Sequence, residues 1–294
     1  MTIREGFAPA NELMLHYAQS GSEDAPLALF LHGFPEFWYC WKDVLEELSG
    51  HFHCVAPDLP GYNLSSRPAE VARYRTKRLV DDLDAFAANF SADKPFILVA
   101  HDWGGALAWA YAIKKPEHLK KLVIINATHP GTFAREIANN PAQAGASQYI
   151  LDIRAEGSEA RFAANGYAQL WQSLAPVAAA GHLSAADKSE YLKAWAQPGA
   201  LTGMFNWYRA MRLDPPKSGE GSNADRLYEP ETLRVSVPTL VIWGEQDKAL
   251  LPGCLDGLEE FVPNLKMIRV PHGSHWVIHE EPASVSRWIK DFAG

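Results

Sequence analysis

An aspartate lies at the centre of a short run whose residue types favour a sharp turn. The run is Ala100-His101-Asp102-Trp103-Gly104-Gly105, and the apolar residues 96–100 before it predict a strand, while those after Gly104 predict a helix. Its spacing is that of the G-x-S-x-G strand-to-helix turn, with aspartate in place of serine. Small residues two places before and two places after Asp102 allow the backbone to double back there.

The side chain of Asp102 decides which chemistry this turn can perform. A carboxylate attacks carbon without first losing a proton, but it needs an electrophilic carbon that carries a leaving group. This excludes acyl transfer of the serine type, and we expect Asp102 to form an alkyl ester with its substrate. The alternative is that Asp102 only caps the following helix, which is a common role of aspartate.

Two later residues could complete a catalytic triad with Asp102. Asp247 follows the apolar run 239–243, and His275 lies in Gly273-Ser274-His275-Trp276 after the run 266–270. This is the order nucleophile, acid, histidine, with each residue in a loop after a strand. His275, held in one tautomer by Asp247, would deprotonate the water that hydrolyses the ester. Nearby candidates stay open, namely His272 and His279 for the base and Glu245 and Asp256 for the acid.

Hydrolysis of an ester on Asp102 produces a negatively charged oxygen that backbone N–H groups must stabilise. The run His32-Gly33-Phe34-Pro35 follows an apolar segment, residues 27–31. In such a turn-based site the donors are the N–H of Phe34 and the N–H of Trp103, the residue after the nucleophile. We predict that these two groups form the oxyanion hole.

The candidate catalytic residues must be positioned by regular secondary structure, and the sequence shows short apolar runs that alternate with amphipathic helical patterns. Near-continuous apolar runs are typical of parallel strands that are buried on both faces. Leu79, Leu83, Phe86 and Phe90 recur at helical spacing between two such runs, and a last helix follows Pro282. The alternation predicts an α/β fold with a mostly parallel, doubly wound sheet. The predicted strands are Leu27–Leu31, His53–Ala56, Phe96–Ala100, Leu122–Ile125, Thr239–Trp243 and Lys266–Val270.

The alternation stops near Pro130 and resumes near Val237, and the stretch between is rich in Ala, Gln and aromatic residues. We interpret this stretch, residues 130–234, as a helical cap inserted between the core segments 1–129 and 235–294. Insertions of this kind cover active sites that are built at strand ends. Within the cap, residues 215–223 have the composition of a loop.

Composition and charge restrict the class of protein. The chain has 294 residues, 47% of them hydrophobic, and a formal charge of −8 without clustered runs of one sign, so no nucleic-acid partner is expected. Its three cysteines lack metal-site spacing and predict reduced thiols. Neither a leader-like start nor a run of about 18 apolar residues occurs. We expect a soluble, cytoplasmic enzyme without a membrane span, and a homodimer is compatible with the sequence.

Three segments resemble the epoxide hydrolases of the α/β-hydrolase fold family. They are the run HGFPEFWYCW from His32 to Trp41, the run DLPGY from Asp58 to Tyr62, and the turn that carries Asp102. The resemblance spans the whole chain and implies an α/β-hydrolase fold with an inserted cap, activity on epoxides and a cis peptide bond before Pro35. Haloalkane dehalogenases share the nucleophile turn, so this turn does not separate the two activities.

The resemblance also implies two tyrosines that bind and protonate the epoxide oxygen. Phe205-Asn206-Trp207-Tyr208-Arg209 looks like the family segment that carries one of them, and Ser147-Gln148-Tyr149-Ile150 looks like the segment that carries the other. We therefore expect Tyr208 and Tyr149 to be the proton donors. Most tyrosines only pack with a satisfied hydroxyl, and three further tyrosines of the cap stay open as donors, namely Tyr167, Tyr191 and Tyr228.

Dehalogenation would need N–H donors for a halide instead of a proton donor. Trp103 could supply one indole N–H, but the second donor in the resembling enzymes is often an asparagine directly after the His-Gly pair, where this chain has Phe34. A cap tryptophan such as Trp171 or Trp207 could take its place. Epoxide hydrolysis is therefore the preferred hypothesis, and haloalkane dehalogenation is the alternative.

The expected substrate is a small hydrophobic epoxide, with water as cosubstrate and without a metal ion or organic cofactor. Phe37, Trp38, Trp103 and Trp207 are predicted to give the binding site apolar walls.

Overall fold

The computed structural model describes residues 2–91, 94–216, 224 and 229–294. Its central sheet consists of β1 (Arg4–Ala10), β2 (Leu13–Ser20), β3 (Leu27–Leu31), β4 (His53–Pro57), β5 (Phe96–His101), β6 (Leu119–Ile125), β7 (Thr239–Gly244) and β8 (Leu265–Val270). The strand order is β1-β2-β4-β3-β5-β6-β7-β8. β2 pairs antiparallel with β1 and with β4, whereas all pairs from β4 to β8 are parallel.

The six predicted strands correspond to β3 through β8, and the predicted α/β fold with a mostly parallel sheet is confirmed. β3, β4, β5 and β7 are buried at every position, as expected for strands covered on both faces. β8 differs because it lies at the edge of the sheet, where its residues are half-buried or exposed.

The hairpin of β1 and β2 lies outside the predicted strands. Leu13 and Leu15 are buried while Met14 between them is 47% exposed, which is the alternation of a strand with one solvated face. Asn11, at the turn, has a φ of 55°. Pro9 lies inside β1, and proline is tolerated there because β1 is an edge strand.

Helices pack against the sheet, with α1 beside α12 and α2 beside α3. Leu79, Leu83 and Phe86 of α2 are buried, as the helical stripe predicts, and each contributes about 1.5–3 kcal/mol of apolar burial. The helices are α1 (Lys42–Leu48), α2 (Thr76–Ser91), α3 (Asp102–Lys114), α4 (Pro130–Asn139), α5 (Pro141–Ala146), α6 (Tyr149–Arg154), α7 (Ser158–Ala179), α8 (Ala185–Trp195), α9 (Ala200–Ala210), α10 (Leu258–Phe261), α11 (Val277–Glu280) and α12 (Pro282–Ala293).

Helices α4 to α9 lie between β6 and β7 in the chain, where the cap is predicted. α7 is interrupted at residues 164–167, whose backbone is not helical. The loop prediction for residues 215–223 falls largely outside the described residues, and the cap limits 130 and 234 stay a prediction. In the part of the chain that is described, no helix is long and apolar enough to cross a membrane.

The turn from β5 to α3 carries Asp102, and the predicted strand and helix on either side of it are confirmed. Asp102 has a φ of 49°, a left-handed conformation that is uncommon for a residue with a side chain. The turn also brings α3 very close to β3. A Cβ atom on Gly104 would lie 2.4 Å from the carbonyl oxygen of His32 and 2.5 Å from that of Leu31. Only glycine fits at this contact between two backbones.

Gly104→Ala is therefore expected to lower the free energy of unfolding by about 2 kcal/mol or more, because the backbone that the new methyl group meets cannot move aside. Gly145→Ala is the matched control, since this residue of α5 has no atom within 4 Å of its added Cβ. It is expected to stabilise the protein by about 0.5–1 kcal/mol. Urea denaturation of both variants measures the difference, and equal free energies of unfolding would contradict the steric role of Gly104.

Candidate active site

The carboxylate of Asp102 is held by the loop that follows β3. The backbone N–H of Phe34 donates a hydrogen bond of 2.6 Å to Oδ1 of Asp102. The loop approaches this closely because Gly33 has no side chain, and a Cβ there would lie 2.3 Å from Oδ1. The peptide bond between Phe34 and Pro35 is cis, which confirms the prediction for Pro35. Oδ1 is thus the oxygen that a backbone N–H can stabilise.

His275 lies between two carboxylates. Its Nδ1 is 2.6 Å from Oδ2 of Asp247, and its Nε2 is 3.6 Å from Oδ2 of Asp102. The other oxygen of Asp247 accepts hydrogen bonds from the N–H groups of Ala249 and Leu250, at 2.8 and 2.9 Å. The three residues predicted as nucleophile, acid and base therefore meet in one site, with the imidazole oriented by Asp247 toward Asp102.

Asn126 also belongs to this site but is not among the predicted residues. Its side-chain nitrogen donates a hydrogen bond of 2.9 Å to Oδ2 of Asp247, and its side-chain oxygen accepts one of 2.8 Å from Gly244 N–H. These bonds satisfy part of a buried carboxylate and join the ends of β6 and β7. The sequence signal that could identify this residue is an asparagine directly after an apolar strand. The backbone of Asn126 has a φ of 38°, a left-handed conformation that asparagine adopts more readily than most residues.

The charges of the triad stabilise one another. Burial lowers the pKa of His275, but the carboxylates of Asp247 and Asp102 outweigh this and hold it well above 6.5. Burial raises the pKa of Asp102 and of Asp247, but His275 outweighs it and holds both pKa values below their ordinary range. Before substrate binds, the site therefore holds an imidazolium between two carboxylates.

Tyr149 and Tyr208 face each other in the cap, with their ring centroids 6.0 Å apart. The ring of Tyr208 also lies edge-on against Phe34 and Trp103, at 5.2 and 5.0 Å. Burial raises the pKa of both hydroxyls well above 10, and the nearby carboxylate of Asp102 raises them further. Both tyrosines are therefore protonated at neutral pH and can donate a hydrogen bond.

A cavity of about 320 Å³ connects these groups. Phe34, Asp102, Tyr149, Tyr208 and His275 all contribute to its wall. The remaining lining includes both apolar and polar residues. The apolar ones are Pro35, Ile153, Phe162, Leu170, Ala249 and Trp276, and the polar ones are Asp152, Gln169, Gln172 and Ser173.

The prediction that Trp103 and Trp207 form apolar walls of the binding site needs a correction. Trp103 and Trp207 are not among the described residues that line the cavity. Trp207 is 2% exposed and donates its indole N–H to the carbonyl oxygen of Pro60 at 2.8 Å, which turns it toward the core. Trp103 packs edge-on between Trp207 and Tyr208. Both rings lie behind the cavity wall and support it.

Phe37 and Trp38 need the same correction, because neither is among the cavity-lining residues in the described ranges. The ring of Phe37 stacks on Tyr39 and meets Tyr191 of the cap edge-on at 5.4 Å. The backbone N–H of Trp38 bonds to Asp58 at 3.0 Å, and its ring packs against Phe37 and Tyr39. Phe37 therefore contacts the cap and Trp38 packs within the core, and neither is placed on the described cavity wall.

The competing candidates for the acid and the base of the triad do not line the cavity in the described part of the chain. His272 and Asp256 are exposed. Glu245 forms an ion pair of 3.1 Å with an arginine of β8, and His279 bonds to the buried carboxylate of Glu36. Of the candidates for the base, His275 lines the cavity, and Asp247 is the carboxylate that lies 2.6 Å from its Nδ1.

The competing tyrosines of the cap have other partners. Tyr167 packs against Trp195. Trp171, the alternative halide donor, packs against the same ring. Tyr191 donates its hydroxyl to Glu36. Tyr228 lies outside the described residues.

Glu36 is the centre of a buried polar cluster behind His275. Its Oε1 accepts hydrogen bonds from Tyr191 at 2.7 Å and from Nε2 of His279 at 2.5 Å. His101 donates from Nε2 to the backbone oxygen of His275 at 2.8 Å, and its Nδ1 is 3.6 Å from Oε2 of Glu36. Burial raises the pKa of Glu36, but His279 and His101 hold it far below its ordinary value. This cluster was not predicted, because its partners are distant in the sequence.

Comparison with known proteins relates this geometry to a family. A family described as the alpha/beta hydrolase fold matches residues 26–282. The chain is 38% identical to the AB hydrolase superfamily protein YfhM of Bacillus subtilis, over 97% of this chain and 96% of the relative. It is 33% identical to epoxide hydrolase 1 of Caenorhabditis elegans, over 96% of this chain and 68% of the relative. It superposes on a crystal structure of a Bacillus megaterium epoxide hydrolase with a TM-score of 0.88, 33% identity and coverage of 98% and 99%.

The charge balance of the site predicts that Asp102→Asn lowers the pKa of His275, because the change removes one of the two anions that favour the imidazolium. In the wild type this ion pair stabilises the fold fully between about pH 4 and pH 6.5. The stabilisation is lost as the pH rises through the raised pKa of His275, and also as it falls through the lowered pKa values of Asp102 and Asp247. NMR titration of the His275 imidazole measures this pKa in the wild type and in the variant. The titration of His16, which pairs with Asp58, is the internal control and should not change. An unshifted His275 would contradict the coupling.

Proposed function

The chain belongs to the α/β-hydrolase fold family, and from this premise we propose that it is an epoxide hydrolase that works through an alkyl ester on Asp102. One observation carries the proposal. Tyr149 and Tyr208 lie on the wall of the same cavity as Asp102 and His275, so a proton donor and a nucleophile face the same space. Its relatives include proteins named epoxide hydrolases, which supports activity on an epoxide.

In the first step, Oδ2 of Asp102 forms a bond to an epoxide carbon while the ring bond from that carbon to oxygen breaks. The electron pair stays on the released oxygen, which takes a proton from Tyr149 or Tyr208. Because burial keeps both hydroxyls protonated, a donor is available at neutral pH. The products of this step are a hydroxyalkyl ester on Asp102 and one tyrosinate.

Ester formation converts His275 from an acid into a base. It neutralises Asp102, which removes one of the two anions that hold the proton on the imidazole. His275 can then return a proton, through water, to the tyrosinate left by the first step. The tyrosine is restored and the neutral imidazole is ready to deprotonate water, so protons balance between the two steps.

In the second step, His275 takes a proton from water and the resulting hydroxide attacks the carbonyl carbon of the ester. The negative charge develops on Oδ1 of Asp102, the oxygen that already accepts the N–H of Phe34. The backbone N–H of Trp103 is the proposed second donor. When the intermediate collapses, the bond from this carbon to Oδ2 breaks and Oδ2 leaves with the substrate as an alkoxide. The alkoxide takes the proton that His275 removed from water and departs as the diol. The new carboxyl group of Asp102 then gives its remaining proton to His275, which restores the pair of imidazolium and carboxylate.

The cavity favours a small hydrophobic epoxide. Its volume of about 320 Å³ lies at the small end of ligand pockets, and the apolar side chains of Phe34, Ile153, Phe162 and Leu170 form much of the wall. Haloalkane dehalogenation is less well supported. The indole N–H that Trp207 would need for a halide is already donated to the carbonyl oxygen of Pro60.

The nucleophile and base are tested by incubating styrene oxide with the wild type, Asp102→Ala and His275→Gln. We expect the wild type to make diol, Asp102→Ala to lose activity by about 10³-fold or more, and His275→Gln to accumulate an adduct with the mass of one substrate on Asp102. Peptide mass spectrometry locates the adduct. His272→Gln, at an exposed histidine of the same loop, should keep wild-type turnover. A wild type without diol activity overturns the epoxide assignment.

The proton donors are tested by Tyr149→Phe and Tyr208→Phe, which remove only the hydroxyl groups. Each change should slow ester formation by about 10- to 100-fold and the double change by about 10²–10⁴-fold, since general acid catalysis contributes on that scale. Single-turnover kinetics measure the step. Tyr167→Phe is the matched control in the cap, because Tyr167 packs against Trp195 and does not line the described cavity wall. Equal rates in the double variant and the wild type would exclude these tyrosines as donors.

A further inference from the structure

One face of α8 contacts a single segment of the core, residues 35–42. The side chains are Asp187, Tyr191 and Trp195, which are four residues apart and therefore lie on the same side of the helix. Trp195 donates its indole N–H to the carbonyl oxygen of Pro35 at 2.6 Å, and Tyr191 donates its hydroxyl to Glu36 at 2.7 Å. Toward the other end of the segment, Asp187 accepts bonds of 2.9 Å from both Tyr39 and Lys42.

The segment that α8 contacts is continuous with the proposed oxyanion hole. Pro35 directly follows Phe34, whose N–H is 2.6 Å from Oδ1 of Asp102. The chain turns here, with the N–H of Glu36 donating to the carbonyl oxygen of Gly33 at 2.9 Å. Trp195 therefore binds the turn one residue beyond the donor, and it is itself only 2% exposed.

We propose that α8 is a positioning element for the oxyanion hole and that Trp195 is its main positioning residue. The proposal rests on the proposed function, because it concerns the hydrolysis of the ester on Asp102. The bond from Trp195 to Pro35 fixes the plane of the loop, so that the N–H of Phe34 points at Oδ1. The cap thereby contributes to the second step through the backbone as well as to the first step through its tyrosines.

Ester formation and ester hydrolysis depend differently on the bond from Trp195 to Pro35. During ring opening Oδ1 loses negative charge as the ester forms, so a misplaced Phe34 N–H does not slow the attack. During hydrolysis Oδ1 becomes an oxyanion, and the same N–H must meet the full charge. A loss of positioning should therefore slow ester hydrolysis while leaving ester formation unchanged.

Trp195→Phe tests this, since it keeps an aromatic ring in the cap and removes the N–H donor. We expect hydrolysis of the ester to slow by about 10- to 100-fold, as for a small displacement of a catalytic group. Ester formation in a single turnover should stay within about two-fold of the wild type, so that covalent enzyme accumulates at steady state. Rapid quenching followed by intact-protein mass spectrometry measures both rates with styrene oxide.

Trp171→Phe is the matched control, because Trp171 packs against Tyr191 and Trp195 but is not the donor to Pro35. It should leave the ratio of the two rates unchanged. If Trp195→Phe does not fold, benzothienylalanine at position 195 keeps the ring shape and replaces the N–H with sulfur. Equal slowing of both steps, or an unchanged ratio in a folded variant, overturns the positioning role. If the wild type itself makes no diol, the proposed function fails instead.

Discussion

The short hydrogen bond from the N–H of Phe34 to Oδ1 of Asp102 is the contact around which the rest of the site is arranged. It requires two chain segments, the loop after β3 and the turn after β5, to meet with almost no side chain between them. Gly33 and Gly104 make this approach sterically allowed, and the left-handed φ of Asp102 directs its carboxylate into the gap. Because the two oxygens of Asp102 then differ in their partners, the proposed mechanism has one of them attack the substrate and the other carry the charge.

Burying the Asp102 carboxylate as an anion costs free energy, and neighbouring charges offset this cost. Buried charged groups are tolerated when they are paired and hydrogen-bonded. Here three acidic side chains, Asp102, Asp247 and Glu36, lie close to histidines at one end of the sheet. The same pairing that keeps Asp102 ionised also favours a proton on His275. In the proposed mechanism, one electrostatic arrangement therefore prepares the nucleophile and stores the base until the ester forms.

How well each part of this structure can be predicted from the sequence depends on whether its contacts are local or join residues that are distant in the sequence. β3 to β8 and the turn at Asp102 could be predicted because continuous apolar runs and small residues at fixed spacing are local features. The hairpin of β1 and β2 could not, since its burial depends on pairing with β4. Trp207 was expected at the cavity, but the side of α9 that faces the core is set by how the cap docks. Asn126 and Glu36 escaped prediction for a similar reason, since the bonds from Asn126 to Asp247 and from Glu36 to Tyr191 and His279 each span more than 100 residues.

The cap is joined to the core too firmly to act as a freely swinging lid. Polar contacts that are largely buried cross the boundary at Trp195, Tyr191, Trp207 and Asp187, and opening the cap would expose or break each of them. A fixed cap suits the proposed chemistry, because the proposed proton donors and oxyanion donor act only when their distance to Asp102 stays constant between the two steps.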